Sequence, residues 1–426
     1  MMIQTDGPAS RDGREPDTSK PASQHKRVIV LGGGFAGQQA LRILARKGHR
    51  IERVLIDRRR TGEFAPLYPD LISGRVSARS LTVPLDDYAR AKGAHFVRAS
   101  VKDIQAGRVE TDRGLFQADA ILLATGCVTN WYGNGSARQH AFGLKSNLEG
   151  LRLGREIQRR YVEARDEGRP CRVLIVGGGY TGFEAAGHAH LLLSRLQRRD
   201  RWARDLPIEI RILDIAPRVL SMIDDDLAGP AVRLIESMGV DVQTGLTVES
   251  IAADRRAVLS DGSEVDNALV VWTAGVTPGA EAANLDVEKR AQGRLGVDQY
   301  LRLPGQETLF AAGDVAGALG NDGQPLRMGV QFSIAAGSAA ARNIVAALAG
   351  RKCKAFRPLD PGYVVPLART SGAGDILRLR KYHGPLPFFL HYFMCIARNW
   401  TVKKRLFLLA DLLGLHLTER YRRRRG

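Results

Sequence analysis

Cysteine is scarce in this chain, and its copies lie far apart. Of 426 residues only four are cysteines, at Cys127, Cys171, Cys353 and Cys395. No two are spaced as in a C-x-x-C or C-x4-C motif, which argues against a zinc ribbon and against a local redox disulfide. Isolated thiols of this kind predict a protein that stays in a reducing compartment.

Long hydrophobic runs are also missing. No segment approaches the roughly eighteen consecutive apolar residues of a membrane-spanning helix. Residues 1–26 are polar, lack the apolar stretch of a signal peptide, and are typical of a disordered tail. We therefore expect no signal peptide, no transmembrane span, and a location on the cytoplasmic side.

Negative charge is in the minority. The chain has 63 Lys and Arg against 45 Asp and Glu, a net charge of +18. This excess favours an anionic partner, such as nucleic acid, an acidic membrane surface or anionic cofactors. Basic residues cluster at 194–204, typical of a solvated helix end, and at 396–426. No recognition motif with interleaved aromatic residues accompanies them, so no nucleic-acid partner is expected.

The chain does contain one kind of glycine-rich turn twice, in "VIVLGGGFAGQQA" (28–40) and "VLIVGGGYTGFEAAG" (173–187). Each follows a β-branched run typical of a buried parallel strand and opens a helical pattern. The first glycine allows the tight turn, the second admits a pyrophosphate, and the third lets helix and strand pack. Two such turns in this context predict two dinucleotide sites. Their glycines are Gly32, Gly34 and Gly37, then Gly177, Gly179 and Gly182.

An acid follows each turn at the end of the next strand. Asp57 ends "RVLID", and Asp214 ends "IEIRILD". A carboxylate there accepts hydrogen bonds from the adenine-ribose 2′-hydroxyl and repels a 2′-phosphate. We therefore expect NADH rather than NADPH at the second site, with Arg218 as the nearby charge that would soften the preference.

The order of motifs resembles that of the two-dinucleotide-binding-domain flavoproteins, in which FAD occupies the first site and NAD(P)H the second. "ILLATGC" (121–127) resembles the strand end that leaves the FAD domain, "VVWTAGVTP" (270–278) the exit from the NAD domain, and "LFAAGDVA" (309–316) the closing motif. The resemblance implies FAD contacts at Thr125, Gly126, Gly313 and Asp314, and NAD contacts at Ala274 and Gly275.

Within that superfamily the chain resembles the type II NADH dehydrogenases. The resemblance rests on "FAPLYPDLISG" (64–74), on the link at 131–157, and on the tail "GPLPFFLHYFMCIARNWTVKKRLFLLADLL" (384–413). It implies an FAD-dependent, peripheral respiratory enzyme that passes a hydride from NADH to FAD and two electrons to a membrane quinone, without proton pumping. The disulfide reductases are excluded, because they need paired cysteines beside the flavin.

The resemblance also implies two site residues. Glu184 follows the second turn, where a family Glu holds the nicotinamide ribose or amide and relays protons; a helix-start role is the alternative, and a helix N-terminus favours its ionised form. Gln331 matches the first glutamine of the family's A-Q-x-A-x-Q quinone motif, whereas Ala335 replaces the second. The quinone pocket is therefore altered. Cys127 is a further candidate, although a small buried residue is the simpler interpretation.

No metal site is expected. His188 and His190 are the only histidines that suggest one, and on a helix about 200° separates residues two apart, so they cannot share an ion.

We expect an α/β fold with two Rossmann-like domains. The FAD domain takes residues 27–145 and 285–350, the NAD domain 146–284, and a C-terminal interface segment 351–426. Two apolar stretches within 385–426 are too short to span a bilayer, and basic residues flank them. With Trp400 and Tyr421 they predict amphipathic helices on a membrane surface. Packing on the protein or on a second copy, as in a homodimer, is the alternative.

Three other functions stay open. A sulfide:quinone oxidoreductase would use two cysteines at the flavin, for which Cys127 and Cys353 are the candidates, but has no need of a second nucleotide site. A second alternative is an NAD(P)H-dependent flavoprotein reductase with a non-quinone acceptor. The third is a non-enzymatic flavoprotein that senses NADH, which the altered glutamine motif favours.

Overall fold

The computed structural model describes residues 25–415 except 49, 368, 369 and 378. The predicted N-terminal tail up to residue 24, Tyr421 and the basic stretch from residue 416 onward lie outside the described residues.

The N-terminal part of the chain is a parallel α/β unit with short antiparallel additions. Its elements are β1 Lys26–Leu31, α1 Phe35–Lys47, β2 Ile51–Asp57, β3 Thr61–Glu63, α2 Tyr68–Ser73, β4 Thr82–Pro84, α3 Leu85–Arg90, β5 His95–Arg98, β6 Val101–Gln105, β7 Arg108–Thr111, β8 Gly114–Gln117, β9 Ala120–Leu123, β10 Cys127–Thr129 and α4 Gly135–His140.

A second α/β unit follows, opened by a long helix. Its elements are α5 Asn147–Glu167, β11 Cys171–Val176, α6 Tyr180–Arg199, β12 Ile208–Asp214, α7 Asp225–Glu236, β13 Val240–Thr244, β14 Val248–Ile251, β15 Ala257–Leu259, β16 Glu264–Val265, β17 Leu269–Trp272, β18 Val276–Pro278 and α8 Ala280–Ala283.

The chain then returns to the first unit and ends in a small sheet and two helices. These elements are β19 Lys289–Arg290, β20 Arg294–Leu295, β21 Leu309–Ala311, α9 Val330–Leu348, β22 Gly362–Leu367, β23 Ser371–Ile376, β24 Arg380–Gly384, α10 Pro385–Arg398 and α11 Val402–Leu412.

Two parallel sheets carry the fold. The first has the order β21-β9-β1-β2-β5, and the second has the order β13-β12-β11-β17. All their strand pairs are parallel, which confirms the predicted α/β class. The second sheet lies in sequence between β9 and β21, as in a unit inserted into another. On this basis we propose the division of the chain at the boundaries expected from the sequence.

One segment of the first unit shares a hydrophobic core with the second unit and the C-terminal helices. Near residues 64–81 the first unit contributes Leu67 and Leu71 to the same hydrophobic cluster as Phe183 of α6 and Phe388 of α10. This segment therefore packs against both the second unit and the C-terminal helices, rather than only against its own sheet.

Three antiparallel sheets were not expected from the sequence. They are β6-β7-β8, β14-β15-β16 and β22-β23-β24. The last matters most, because it lies in the C-terminal segment 351–426, for which only helices within 385–426 were expected. Its strand pairing places Gly372 opposite Gly384, directly before α10 begins. Among the described residues, no helix combines the length and the hydrophobicity that crossing a bilayer requires.

Candidate functional site

In the first glycine turn, protein atoms lie close to two of the three glycines and leave space beside the third. Gly32 has φ of +100°, and a Cβ there would lie 2.3 Å from the Ala124 carbonyl oxygen. A Cβ on Gly37 would lie 1.9 Å from the Gly32 oxygen, so the helix can approach its strand only through glycine. Gly34 has no neighbour within 4 Å. Protein atoms thus require two of the glycines, and the third faces free space.

The second turn repeats this geometry. Gly177 has φ of +106°, and a Cβ there would lie 2.6 Å from the Ala274 Cα. A Cβ on Gly182 would again lie 1.9 Å from the first glycine's oxygen, while Gly179 has nothing within 4 Å. Neither α1 nor α6 has a side-chain cap at its start. Within the described chain, both helix N-termini therefore keep backbone N–H groups for a pyrophosphate.

The two acids brace their turns in the same way. Gly33 N donates to Asp57 Oδ2 at 2.7 Å, and Gly178 N donates to Asp214 Oδ2 at 2.6 Å. The other oxygen of each carboxylate accepts a backbone N–H two residues on, at 2.7 Å and 2.9 Å. Each carboxylate oxygen can accept a further hydrogen bond, so both remain available to a ribose hydroxyl at the turn.

The contrast between open and closed glycines yields a prediction. We expect Gly179→Ala to fold normally and keep its flavin, because its methyl group meets no protein atom, yet to weaken NADH binding at least tenfold. Gly182→Ala should lower the melting temperature by several degrees, since its methyl group overlaps the Gly177 oxygen. Thermal unfolding and NADH titration of both variants check this. Equal melting losses in the two variants would contradict it.

The residues expected around the flavin gather at the first turn. Ala124, which Gly32 contacts, directly precedes Thr125, and the buried Thr125 Oγ1 has no hydrogen-bond partner within the described part of the chain. Gly313, with φ of +79°, lies against Ala36 at the start of α1. The buried Thr125 hydroxyl, which lacks a protein partner, and the free space beside Gly34 fit a bound dinucleotide.

Asp314 and Gly126 complete this group. Asp314 Oδ1 accepts a hydrogen bond from Ser333 Oγ at 3.3 Å, which ties the closing motif to α9. Gly126 has φ of +71° and open space beside it, so the chain turns sharply there after β9.

A short two-stranded link brings the two sites side by side. β10 pairs antiparallel with β18, with Cys127 opposite Pro278 and Thr129 opposite Val276. β10 starts directly after Gly126 of the first site, and β18 starts directly after Gly275 of the second. The link therefore connects the two sites, with Gly126 at one end of the strand pair and Gly275 at the other.

Ala274 and Gly275 form the exit from the second turn. Tyr132, from the segment that leaves the first unit, donates from its hydroxyl group to the Ala274 oxygen at 3.4 Å. A Cβ on Gly275 would lie 2.3 Å from that hydroxyl oxygen. A side chain at Gly275 would thus displace the exposed ring of Tyr132 where the chain crosses from one unit to the other.

Glu184 lies in the first turns of α6 and is only partly exposed. Burial, and secondly the charge of Asp70, raise its pKa well above the ordinary value for Glu. The helix N-terminus was expected to favour the ionised form, but burial shifts the pKa in the opposite direction. Desolvation outweighs the helix dipole, whose effect on a side chain is typically below about 1 kcal/mol.

Beside Glu184 lies a buried polar network that sequence reasoning missed. The Ser73 hydroxyl lies 2.8 Å from His188 Nδ1, and His188 Nε2 lies 3.5 Å from Asp70 Oδ1. Tyr392 of α10 donates to Asp70 Oδ1 at 2.7 Å, and Arg75 donates to the Tyr392 oxygen at 2.7 Å. The network joins α2, α6 and α10. The only trace of this network in the sequence is the presence of polar residues within apolar helical patterns.

Burial controls the protonation of this network. It raises the pKa of Asp70 to about 6, against the opposing effects of Arg75 and the Tyr392 hydrogen bond. It lowers the pKa of His188 well below the usual value, with Arg75, His391 and Arg195 acting in the same direction. A neutral imidazole and a carboxyl group poised near neutral pH thus face each other away from water.

The two histidines of α6 have separate partners. His188 belongs to the network, whereas His190 Nε2 lies 3.1 Å from Ser194 Oγ. The part of the chain that the structure describes has no cluster of three or more His, Cys, Asp or Glu able to hold a metal ion.

Comparison with known proteins defines the family. Residues 26–341 match the model of the pyridine nucleotide-disulphide oxidoreductases. The chain belongs to the pyridine nucleotide-disulphide oxidoreductase family. It is also similar to the type II NADH:quinone oxidoreductase of Staphylococcus saprophyticus, with 27% identity over 368 residues, 83% of this chain and 90% of that protein.

Two solved structures share the fold. NDH2 from Plasmodium falciparum in complex with NADH has a TM-score of 0.79 at 14% identity, covering 92% of this chain and 98% of its own. The sulfide:quinone oxidoreductase of Aquifex aeolicus has a TM-score of 0.70 at 17% identity, covering 91% and 92%. These similarities confirm the predicted resemblance to the two-dinucleotide-binding-domain flavoproteins and to type II NADH dehydrogenases.

In this member of the pyridine nucleotide-disulphide oxidoreductase family, all four cysteines are free thiols. Cys127 donates to the Asp314 oxygen at 3.4 Å, whereas Cys353 donates to the Asn343 oxygen at 3.6 Å. Burial and then Asp314 raise the pKa of Cys127 to about 12. Burial likewise raises the pKa of Cys171 to about 11, and Cys171 opens the buried strand β11 as expected. None of these settings produces a reactive thiolate.

Gln331, the expected quinone residue, lies in the first turn of α9, two residues before Ser333, which bonds Asp314. Ala335 follows one turn later on the same helix, with part of its surface exposed. The two positions therefore share one helix face, as the family motif requires, but only Gln331 offers an amide.

The C-terminal helices turn apolar stripes outward. On α10 and α11 the residues at helical spacing are exposed, including Phe389 at 60% and Phe393 at 63%. Their opposite faces, with Tyr392 and Leu408, are buried against the rest of the protein. We call the exposed set the docking face. It comprises Leu386, Phe389, Phe393, Val402, Leu406, Leu409 and Leu413.

Trp400 does not join the docking face, so the expectation for this residue is wrong. Its ring stacks on Phe35 at 6.0 Å and meets Phe64 edge-on at 5.7 Å. The turn between α10 and α11 points inward because Asn399 Nδ2 donates to the Ser80 oxygen at 3.1 Å. Phe35 is the first residue of α1, next to the first glycine turn. The C-terminal segment thus contacts the nucleotide site directly.

Proposed function

We propose that the protein is an FAD-dependent NADH:quinone oxidoreductase of the type II kind. The observation that carries this proposal is the pair of matching glycine turns, whose sites are connected by the strand pair of β10 and β18. A bound flavin would accept the hydride of NADH and pass two electrons on to a quinone. The chain's own residues bind and orient the partners.

FAD at the first turn and NADH at the second fit the residues present. Gly32, Gly34 and Gly37 with Asp57 would hold the FAD pyrophosphate and ribose, and Thr125, Gly126, Gly313 and Asp314 its remaining polar atoms. Gly177, Gly179 and Gly182, with Asp214, Ala274 and Gly275, would hold NADH. Gln331 would lie toward the quinone. No group within either site suggests a coupled proton pump.

The decisive experiment is the absorption spectrum of the purified protein. We expect a yellow protein with bound FAD, whose flavin absorption bleaches when NADH is added without oxygen and returns when a quinone follows. A colourless protein that FAD cannot reconstitute would overturn the whole proposal. Bleaching by NADH with recovery by a soluble acceptor, but not by any quinone, would instead favour the reductase with a different acceptor.

The sulfide:quinone alternative is weaker, although the Aquifex protein shares the fold. That chemistry needs two reactive cysteines at the flavin, and here Cys127 and Cys353 contact different segments and stay protonated. We therefore expect sulfide to leave the flavin absorption unchanged.

Glu184 is the residue we propose at the nicotinamide and flavin. Glu184→Gln keeps the shape of the side chain but cannot transfer a proton. We expect turnover to fall at least tenfold, because general acid–base groups typically contribute about 10²–10⁴-fold. The flavin content should stay unchanged. Stopped-flow bleaching and steady-state turnover measure this, and a variant with altered melting temperature but normal rates would leave only the helix-start role.

We also propose that the docking face lies on the membrane surface. A quinone is dissolved in the bilayer, so surface docking brings the site to its acceptor without a transmembrane helix. Lys403 and Arg405 are exposed between the two apolar stripes. Basic residues near an anionic leaflet contribute about 1 kcal/mol each, a contribution that salt screens.

A further inference from the structure

Reduction of a quinone to a quinol takes up two electrons and two protons. NADH supplies both electrons and one proton as hydride, so the balanced reaction is NADH + H⁺ + quinone → NAD⁺ + quinol. The remaining proton must come from solvent. The site proposed above is covered on one side by α10 and by the buried network of Asp70, Ser73, His188 and Tyr392. This inference rests on that proposed function.

The network places a second carboxyl group, that of Asp70, on the same side of α6 as Glu184. Glu184 and His188 are four residues apart on α6 and therefore point to the same side of the helix. His188 Nε2 lies 3.5 Å from Asp70 Oδ1, so Asp70 faces this side of α6. Cys395 of α10 is close enough to feel the charges of both Asp70 and Glu184. Both carboxyl groups thus lie near Cys395 of α10.

The network also reaches the protein surface. Tyr392 donates to Asp70 Oδ1, and Arg75 donates in turn to the Tyr392 oxygen. The Arg75 side chain is 19% exposed, whereas that of Asp70 is 3% exposed. A continuous line of hydrogen-bonding groups therefore leads from water at Arg75 to the buried carboxyl group. Ser73 fixes the ring of His188 from the other side at 2.8 Å.

We infer that Asp70 is the internal proton donor that resupplies Glu184 when a quinone is reduced. Glu184 gives up a proton when the quinone is reduced, one from Asp70 replaces it, and Asp70 regains a proton from solvent beside Arg75. His188 and Tyr392 are positioning residues that hold the Asp70 carboxyl group toward Glu184. Two carboxyl groups in one dry pocket exchange protons readily, because they cannot both be charged at low cost.

The pH at which Asp70 gives up its proton depends on every charged or titratable neighbour. Burial raises its pKa to about 6, and Arg75 and the Tyr392 hydroxyl oppose this rise. Quinone reduction should therefore slow as the pH rises through this value, because the donor is lost. The other titratable or charged groups around Asp70 are Glu184, His188 and Arg195 on α6, and His391, Cys395 and Arg398 on α10.

Turnover with two different electron acceptors distinguishes a proton-donating role of Asp70 from a purely structural one. We compare a quinone, which takes electrons and protons, with hexacyanoferrate(III), which takes electrons only, in the full-length flavin-loaded protein. Asp70→Asn should slow reduction of the quinone at least tenfold and remove its dependence on pH. Its rate with hexacyanoferrate(III) should stay within about twofold. Equal losses with both acceptors would overturn the inference.

Tyr392→Phe is the matched variant, since it keeps the ring packing and removes only the hydroxyl group. Loss of this hydrogen bond should move the midpoint of the pH profile upward, because the bond lowers the pKa of Asp70. An unmoved midpoint in this variant would also count against the inference. Bleaching of the flavin by NADH should be normal in both variants. Failure of the wild type to bleach, or to reduce any quinone, would instead reject the proposed function.

The pH dependence of the melting temperature shows, without any enzyme turnover, whether Asp70 titrates in the folded protein. Its pKa rises from 3.8 in the unfolded chain to about 6 in the fold. The folded protein then binds more protons than the unfolded chain between these values, so its stability falls as the pH rises through this window. The melting temperature of the wild type should fall relative to Asp70→Asn over that range. A constant difference would contradict a buried, titrating Asp70.

Discussion

Phe389→Asp combined with Phe393→Asp is expected to release the protein from anionic vesicles. Both side chains lie on the docking face and are more than half exposed. Burying one Phe side chain is worth about 1.5–3 kcal/mol, so the pair contributes at least a hundredfold in membrane partitioning. Flotation with vesicles that contain a dissolved quinone measures the loss. NADH oxidation with a water-soluble acceptor should stay within about twofold.

The control is Leu148→Asp with Val162→Asp, which adds the same charge at two exposed apolar positions of α5. That variant should float like the wild type. Deleting residues 385–426 is a poor substitute for these point changes. Deletion would also remove Tyr392 from Asp70, and Trp400 from Phe35, and would disturb the site itself. If both double variants float equally, the docking face is not the membrane contact.

Asp214→Asn is expected to change the choice of nicotinamide cofactor. We expect Asp214 to face the ribose in the wild type, where a like charge in a partly dry site costs several kcal/mol. We therefore expect the kcat/KM for NADH to exceed that for NADPH about a hundredfold, and the ratio to fall at least tenfold in the variant. Asn keeps an acceptor for the Gly178 N–H and loses only the one that the Ala216 N–H uses, whereas Ala would lose both.

Arg218 provides the matching control. Its guanidinium group donates to the Ser221 and Ile223 oxygens and pairs with Asp225. It is thus occupied on its own loop, and Arg218→Ala should leave the cofactor ratio within about threefold. Steady-state kinetics with both cofactors measure this. Equal kcat/KM for NADH and NADPH in the wild type would show that Asp214 does not face the ribose.

The nucleotide turns could be predicted from the sequence because their determinants are local. Gly32 and Gly37 are required by contacts within a dozen residues or with the adjoining strand, and a β-branched run announces that strand. Asp57 and Asp214 end the next strand, where parallel pairing brings them back to the turn. Such short-range patterns can be recognised in a single sequence.

The protonation of the site could not be predicted in this way. Asp70, His188 and Tyr392 come from three distant segments, and each alone resembles an ordinary polar residue in a helix. Only their meeting removes water from Glu184 and reverses the effect of the helix N-terminus on its charge. The prediction that Trp400 lies on a membrane surface was wrong for a related reason. An aromatic residue between two amphipathic helices has the same pattern whether it faces lipid or the core.

The inserted order of the two sheets has a consequence for synthesis of the chain on the ribosome. The second sheet is complete once β17 ends at Trp272. The first sheet must wait for β21, which ends at Ala311, before its edge beside β9 is covered. It must also wait for α9, whose Gly337 lies against Ala36. The unit that is translated first is therefore finished last, and the open edge of β9 needs protection while the later unit folds beside it.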